Sequence, residues 1–212
     1  MPELGGRFAS VRLPLRTPRL ILRLPRPADV RGLSRAGDDP RVSRWTFVPS
    51  PFTPTRARSY IGRLRRRAKA GEGLTLLVEE ARSGEVLGLV GLSVNPTDPS
   101  AFLFYWISPR SWGQGLGSEA VRSVLGLAFG PLGMHRVGAH VFASNLRSRR
   151  LLRRAGFREE GRAREVRREG GRWQAELAFG LLDREFRARG RPRSQKSPAR
   201  AKRPSRSVAA PA

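Results

Sequence analysis

The amino-acid sequence predicts an α/β (α+β) fold, and three features carry that reading. Runs rich in Leu, Val and aromatic residues at positions 74–80, 86–94 and 101–107 have the length and composition of β-strands. Beyond Gly117 the period changes: Ala120, Val121, Val124, Leu125, Ala128 and Phe129 recur at three- and four-residue spacing, as on an amphipathic helix. Between strand and helix lies a glycine-rich turn, Gly113-Gln114-Gly115-Leu116-Gly117.

In chain order, residues 20–24 read as a short apolar strand, and Pro27-Ala28-Asp29 opens a helix that stops before Asp38-Asp39-Pro40. Thr53 ahead of Pro54 supplies an N-cap and a first-turn proline for a second helix through Tyr60, Ile61 and Leu64, ending near Gly71. Arg82-Ser83-Gly84-Glu85 joins the runs 74–80 and 86–94 as a hairpin turn. After the helix that follows Gly117 come a strand at 136–142 and a short helix at 146–155, closed by Gly156. Two last strands, 157–166 and 173–182, flank Glu169-Gly170-Gly171.

A chain of 212 residues with 39% hydrophobic content supports one domain with extensions. The expected division is an N-terminal extension at 1–14, a folded domain at 15–189 and a disordered basic tail at 190–212, rich in Arg, Pro and Ser. No run of about 18 apolar residues exists and the N-terminus has no apolar signal core, so a soluble, cytoplasmic protein without membrane contact is expected. Zero cysteines exclude disulfides, thiolate zinc sites and a cysteine nucleophile, and two histidines do not make a metal site. The net charge of +25 favours anionic ligands. Only Lys69, Lys196 and Lys202 are lysines among 42 basic residues, an arginine bias expected of a GC-rich coding sequence. The tail, with seven basic residues and no acid, reads as a solvated extension, with non-specific RNA contact as the alternative.

The glycine-rich turn carries chemistry because of its setting. It follows the aromatic run Phe104-Tyr105-Trp106-Ile107 and opens a helix, so unpaired N–H groups and the positive end of the helix dipole face outward. Such a terminus suits a pyrophosphate, and Gly115 and Gly117 let phosphate oxygens approach the backbone.

The segment Trp112-Gly113-Gln114-Gly115-Leu116-Gly117-Ser118-Glu119-Ala120 resembles the acyl-CoA motif of the GNAT superfamily of N-acetyltransferases, in its RimJ/RimL branch that acetylates ribosomal-protein N-termini. Further matching segments span most of residues 16–184: Leu15-Arg16-Thr17-Pro18-Arg19-Leu20-Ile21-Leu22-Arg23, Tyr105-Trp106-Ile107-Ser108-Pro109, Leu132-Gly133-Met134-His135-Arg136-Val137, and Asn145-Leu146-Arg147-Ser148 leading to Arg154-Ala155-Gly156-Phe157. The resemblance implies a mixed, mostly antiparallel sheet, flanked by helices and splayed between its fourth and fifth strands, with acetyl-CoA in the split. It implies acetyl-CoA contacts from Ile107, Trp112, Gly113, Gln114, Gly115, Leu116, Gly117, Ser118 and Asn145, of which Asn145 also reads as a helix N-cap.

In that branch a serine at the position of Ser148 protonates the departing thiolate, and Leu152 stands where many relatives carry tyrosine. Ser148 and Glu119 are therefore the candidate catalytic residues, with a water as the alternative donor if Ser148 is only a small helix residue, and Glu119 equally suited to favouring the helix dipole. The strand carboxylate that relatives use as a base is absent: Phe102 stands there. Trp45, Phe47 and Tyr105 are the candidate acceptor contacts, and His140 carries no separate expectation. A thioester is already activated, so direct attack by an amine in a ternary complex suffices. The expected reaction is acetyl transfer to a primary amine, first a protein N-terminal α-amine. A small amine (antibiotic, polyamine or metabolite) and a catalytically weak acyl-CoA-binding or RNA-associated module remain alternatives. The oligomer expected is a monomer or homodimer.

Overall fold

Alternating apolar runs and amphipathic segments fold, in a computed structural model, into eight strands and six helices among the described residues, 4–169 and 171–190. In order these are β1 (Leu15–Arg16), β2 (Leu20–Arg23), α1 (Val30–Gly37), α2 (Pro40–Ser43), α3 (Pro54–Ala70), β3 (Gly73–Glu80), β4 (Val86–Val94), β5 (Ser100–Ile107), α4 (Leu116–Phe129), β6 (Arg136–Phe142), α5 (Leu146–Ala155), β7 (Arg158–Glu169), β8 (Arg172–Leu182) and α6 (Asp183–Gly190). The expected strands and long helices all form. The two-residue β1, the single-turn α2 and the C-terminal α6 had no expectation attached, being too short or too polar to show a period. The tail expectation lies outside the described residues from 191 onward.

Local chemistry sets the ends of α3. Thr53 Oγ1 accepts from the Arg56 N–H at 3.3 Å, Pro54 fills the first turn, and Gly71 closes the helix in the left-handed region at φ 75°. The entry to α1 is held differently. Asp29 accepts two hydrogen bonds from Arg23, each 2.8 Å, and one from the Arg26 N–H at 2.6 Å, while Arg23 also reaches Glu79 on β3. Burial disfavours the Asp29 carboxylate, but these donors outweigh it and hold the group below its usual range.

The sheet order is β1-β2-β3-β4-β5-β6-β8-β7, antiparallel throughout except for β5 beside β6. That parallel pair is joined only at Ser100↔Arg136, Ala101↔Val137 and Phe102↔Gly138. Beyond those residues β5 continues to Ile107 on β4 and β6 to Phe142 on β8, no longer paired with each other. This is the expected splay: the fourth and fifth strands are β5 and β6 once the short β1 is counted.

Two apolar layers sandwich the sheet. One packs α4 and α5 residues such as Val121, Val124, Leu125 and Leu152 on Leu22, Leu76, Val90, Leu103, Val137 and Phe179. The other packs Leu33, Phe52 and Ile61 on Leu77, Leu89 and Trp106, and draws on no residue of β6, β7 or β8. The face of β5 and β6 beyond it is open, with Phe102 54% exposed. Residues ahead of β1, expected as an extension, join the core: Phe8 is fully buried and Val11 nearly so. A Cβ at Gly5 would stand 1.9 Å from the Lys69 carbonyl oxygen, so the approach of this segment to α3 requires glycine. No helix among the described residues is long and apolar enough to cross a membrane.

Candidate active site

The exit from β5 builds the glycine-rich turn. The Ser108 N–H donates to the Leu87 carbonyl at 2.7 Å, a 3-10 turn follows at Pro109–Ser111, and the indole of Trp112 donates back to the Ile107 carbonyl at 2.7 Å. Guanidinium groups of Arg147 and Arg41 stack on the Trp112 ring at 4.5 and 5.7 Å. Gly113 and Gly115 then adopt φ of 80° and 79°, a region closed to most side chains, which turns the chain sharply into α4. No backbone N–H from residue 113 to 118 has an acceptor among the described residues, and Glu119 is the first to bond back, to the Gly115 carbonyl. Six donors at a helix N-terminus fit an anionic diphosphate. At Gly117 α4, α5 and β5 converge, since a Cβ there would lie 3.3 Å from Leu151 and 3.6 Å from Ile107.

Glu119 faces back toward β2 and is heavily engaged. Its carboxylate accepts from Thr17 Oγ1 at 2.5 Å, the Arg19 N–H at 3.2 Å and Arg19 Nε at 2.7 Å, while Arg19 also donates to the Gln114 carbonyl at 2.9 Å. Partial burial would raise its pKa, but the donors of Thr17 and Arg19 prevail and hold it below the usual carboxylate range. A proton acceptor needs the opposite, a free and more basic oxygen. Thr17 and Arg19 were legible only as part of the resemblance, because a pair about 100 residues apart leaves no local pattern.

Within the split, Tyr105 of β5 and Ser148 of α5 meet with a 2.7 Å hydrogen bond between their hydroxyls, in which either can donate. Burial pushes the Tyr105 phenol up to about 12, only partly countered by Ser148. Asn145 caps α5, its Oδ1 accepting from the Ser148 N–H at 3.1 Å. Leu152 is sealed in the core. Ile107, Tyr105, Asn145 and Ser148 thus gather at the split, and residues 112–118 line its mouth.

Trp45 and Phe47 lie on the strap between α2 and α3. The Arg44 guanidinium stacks on Trp45 at 4.7 Å, and Phe47 is 92% exposed. Arg167 of β7 holds this strap from across the open face, donating to the Thr46 carbonyl at 3.2 Å and standing over the Phe47 and Phe142 rings at 5.8 and 5.4 Å. Arg167 was not legible in a segment dense with arginines.

The sequence matches the family described as an acetyltransferase (GNAT) domain over residues 19–158. It is 29% identical over 174 residues to the uncharacterised N-acetyltransferase p20 of Bacillus licheniformis, covering 81% of this chain and 97% of that one. It is 26% identical over 188 residues to the ribosomal protein uS5 alanine N-acetyltransferase of Escherichia coli, covering 84% and 94%. The solved structure of Mycobacterium smegmatis RimJ in complex with CoA-disulfide superposes with a TM-score of 0.70 at 26% identity, over 81% of this chain and 90% of that one. A strand pair that parts beside a helix terminus stripped of acceptors is what such a co-substrate needs, and with this match the chain belongs to the GNAT family as an acetyl-CoA-dependent N-acetyltransferase.

Proposed function

We propose that this enzyme acetylates protein N-terminal α-amines, the acceptor attacking acetyl-CoA directly in a ternary complex. The observation that carries the reading is the shape of the acceptor side. Phe102 and Phe47, 54% and 92% exposed, offer apolar surface on an open sheet face bordered by the 43–47 strap and by β7, whose Arg167 reaches the strap, a setting suited to an extended chain end. The likeness to the uS5 alanine N-acetyltransferase over 84% of the chain supports it.

On this reading the N–H groups of residues 113–118 hold the pyrophosphate, with Arg19, Arg41 and Arg147 adding positive charge around it. Ser148, backed by Tyr105, donates a proton to the departing thiolate, and the high pKa of Tyr105 keeps it a donor at neutral pH. Asn145 orients Ser148 through the cap of α5. Glu119 fastens the loop to the turn between β1 and β2 and takes no proton.

Thiol release from acetyl-CoA tests the acceptor class, using peptides that begin with Ala or Ser against spermidine and small primary amines. The expected result is a kcat/KM at least about tenfold higher for a peptide, a difference of about 1.4 kcal/mol in transition-state binding. Preference for spermidine or a small amine would overturn the α-amine assignment.

A further inference from the structure

Phe102 leaves the acceptor side of β5 without the carboxylate that the resemblance leads one to expect, yet an amine must still shed a proton as it attacks. Gly138 is the last residue of β6 paired with β5, and the next side chain on the open face is His140. Its ring stands edge-on to Phe102 with centroids 5.3 Å apart, so it occupies the vertex of the split. Its side chain is 51% exposed, and Nδ1 lies 3.3 Å from Oε2 of Glu176 on β8.

We propose that His140, oriented by Glu176, is the catalytic base that accepts the proton of the attacking amine. Glu176, 3.3 Å from Nδ1, favours the tautomer with its proton there and leaves the lone pair of Nε2, which has no protein partner among the described residues, available to an acceptor amine. Neighbouring charged groups along this face are held elsewhere. Arg136 and Glu160 pair with each other over Gly180, and Arg167 is spent on the strap and on Glu169.

The two proton transfers then fall on opposite faces of the sheet. The amine nitrogen forms the C–N bond with the acetyl carbon, and the C–S bond breaks with its electrons on sulfur. His140 takes the proton of the nitrogen and returns it to solvent, and the thiolate is protonated from the Tyr105–Ser148 side. The products are the N-acetyl amine and free CoA. This inference rests on acetyl transfer at the split and is independent of which amine is used.

Two measurements test it on the full chain. His140→Gln is expected to lower kcat/KM by about 10- to 100-fold near neutral pH and to remove the acidic limb of its pH profile, measured with the most active amine of the acceptor panel. The acetyl-CoA Kd should stay within about twofold, because the base does not hold the co-substrate. Glu176→Ala, which frees the imidazole but keeps it, should give a smaller loss of about 3- to 10-fold. The second arm needs no acceptor: with only His135 and His140 in the chain, histidine NMR resolves two rings, and acetyl-CoA should shift His140 more than His135. An acidic limb retained in His140→Gln with kcat/KM within twofold, or a His140 resonance unmoved by saturating acetyl-CoA, would overturn the assignment.

Discussion

Tyr105 and Ser148 share one hydrogen bond, and that bond sets what each variant does. Removal of the Ser148 hydroxyl leaves the phenol of Tyr105 in place, able to donate through a water in the vacated position. Ser148→Ala is therefore expected to lower kcat by about tenfold, less than a typical general-acid loss of about 100-fold, with the acetyl-CoA Kd nearly intact. Tyr105→Phe should cost about as much, and the double variant should fall short of the product of the two, because the groups act as a unit. Single-turnover kinetics at saturating acetyl-CoA checks this, and additive losses would show two independent roles. With the Tyr105 phenol raised to about 12, neither variant should move the kcat profile between pH 6 and 9. The same shift favours the neutral phenol in the folded state, so its contribution to stability is complete below pH 10 and disappears as pH rises toward 12. Ser148 entered as a candidate through the resemblance, whereas its bond to Tyr105, 43 residues away, left no trace in the sequence.

At the scale of the element, β2 and the entry to α1 depend on one arginine. Arg23 bridges Asp29 and Glu79, all three largely shielded from water. Arg23→Ala leaves two largely shielded carboxylates without their guanidinium, Asp29 keeping only the Arg26 N–H, and the expected loss is about 3–5 kcal/mol of folding stability, read as a lower denaturant midpoint with an unchanged slope. A loss under about 1 kcal/mol would show that water repairs the cluster. Strand and helix positions here were legible because each has a local origin: Thr53-Pro54 opens α3, Gly71 and Gly156 close helices, and Ser83-Gly84 turns a hairpin. The Arg23 cluster, the Glu119 clasp and the Arg167 brace were not, since each joins segments far apart in the chain through single side chains that leave no local pattern.

For the whole molecule, the core begins earlier than the strands. Phe8 is as deeply buried as any core residue, so Phe8→Ala is expected to cost about 3–5 kcal/mol, and a chain starting at Leu15 should melt well below the full protein. Equal thermal midpoints would restore residues 1–14 to an extension. This packing escaped the sequence because Leu4, Phe8, Val11 and Leu13 follow no single period. The opening between β5 and β6, by contrast, came from the resemblance, and the proposed consequence is that co-substrate binding concentrates on the N–H groups of residues 113–118, which have no acceptor among the described residues. Gly113 offers the most direct test. A Cβ there meets nothing within 4 Å, and its φ of 80° is one that Asn and Asp both tolerate, so Gly113→Asn and Gly113→Asp differ in little but charge. Calorimetric titration with acetyl-CoA should show the Asn variant within about threefold of the native Kd and the Asp variant weaker by about tenfold or more, through repulsion of the pyrophosphate. Equal affinities for the two variants would contradict a pyrophosphate seated on residues 113–118.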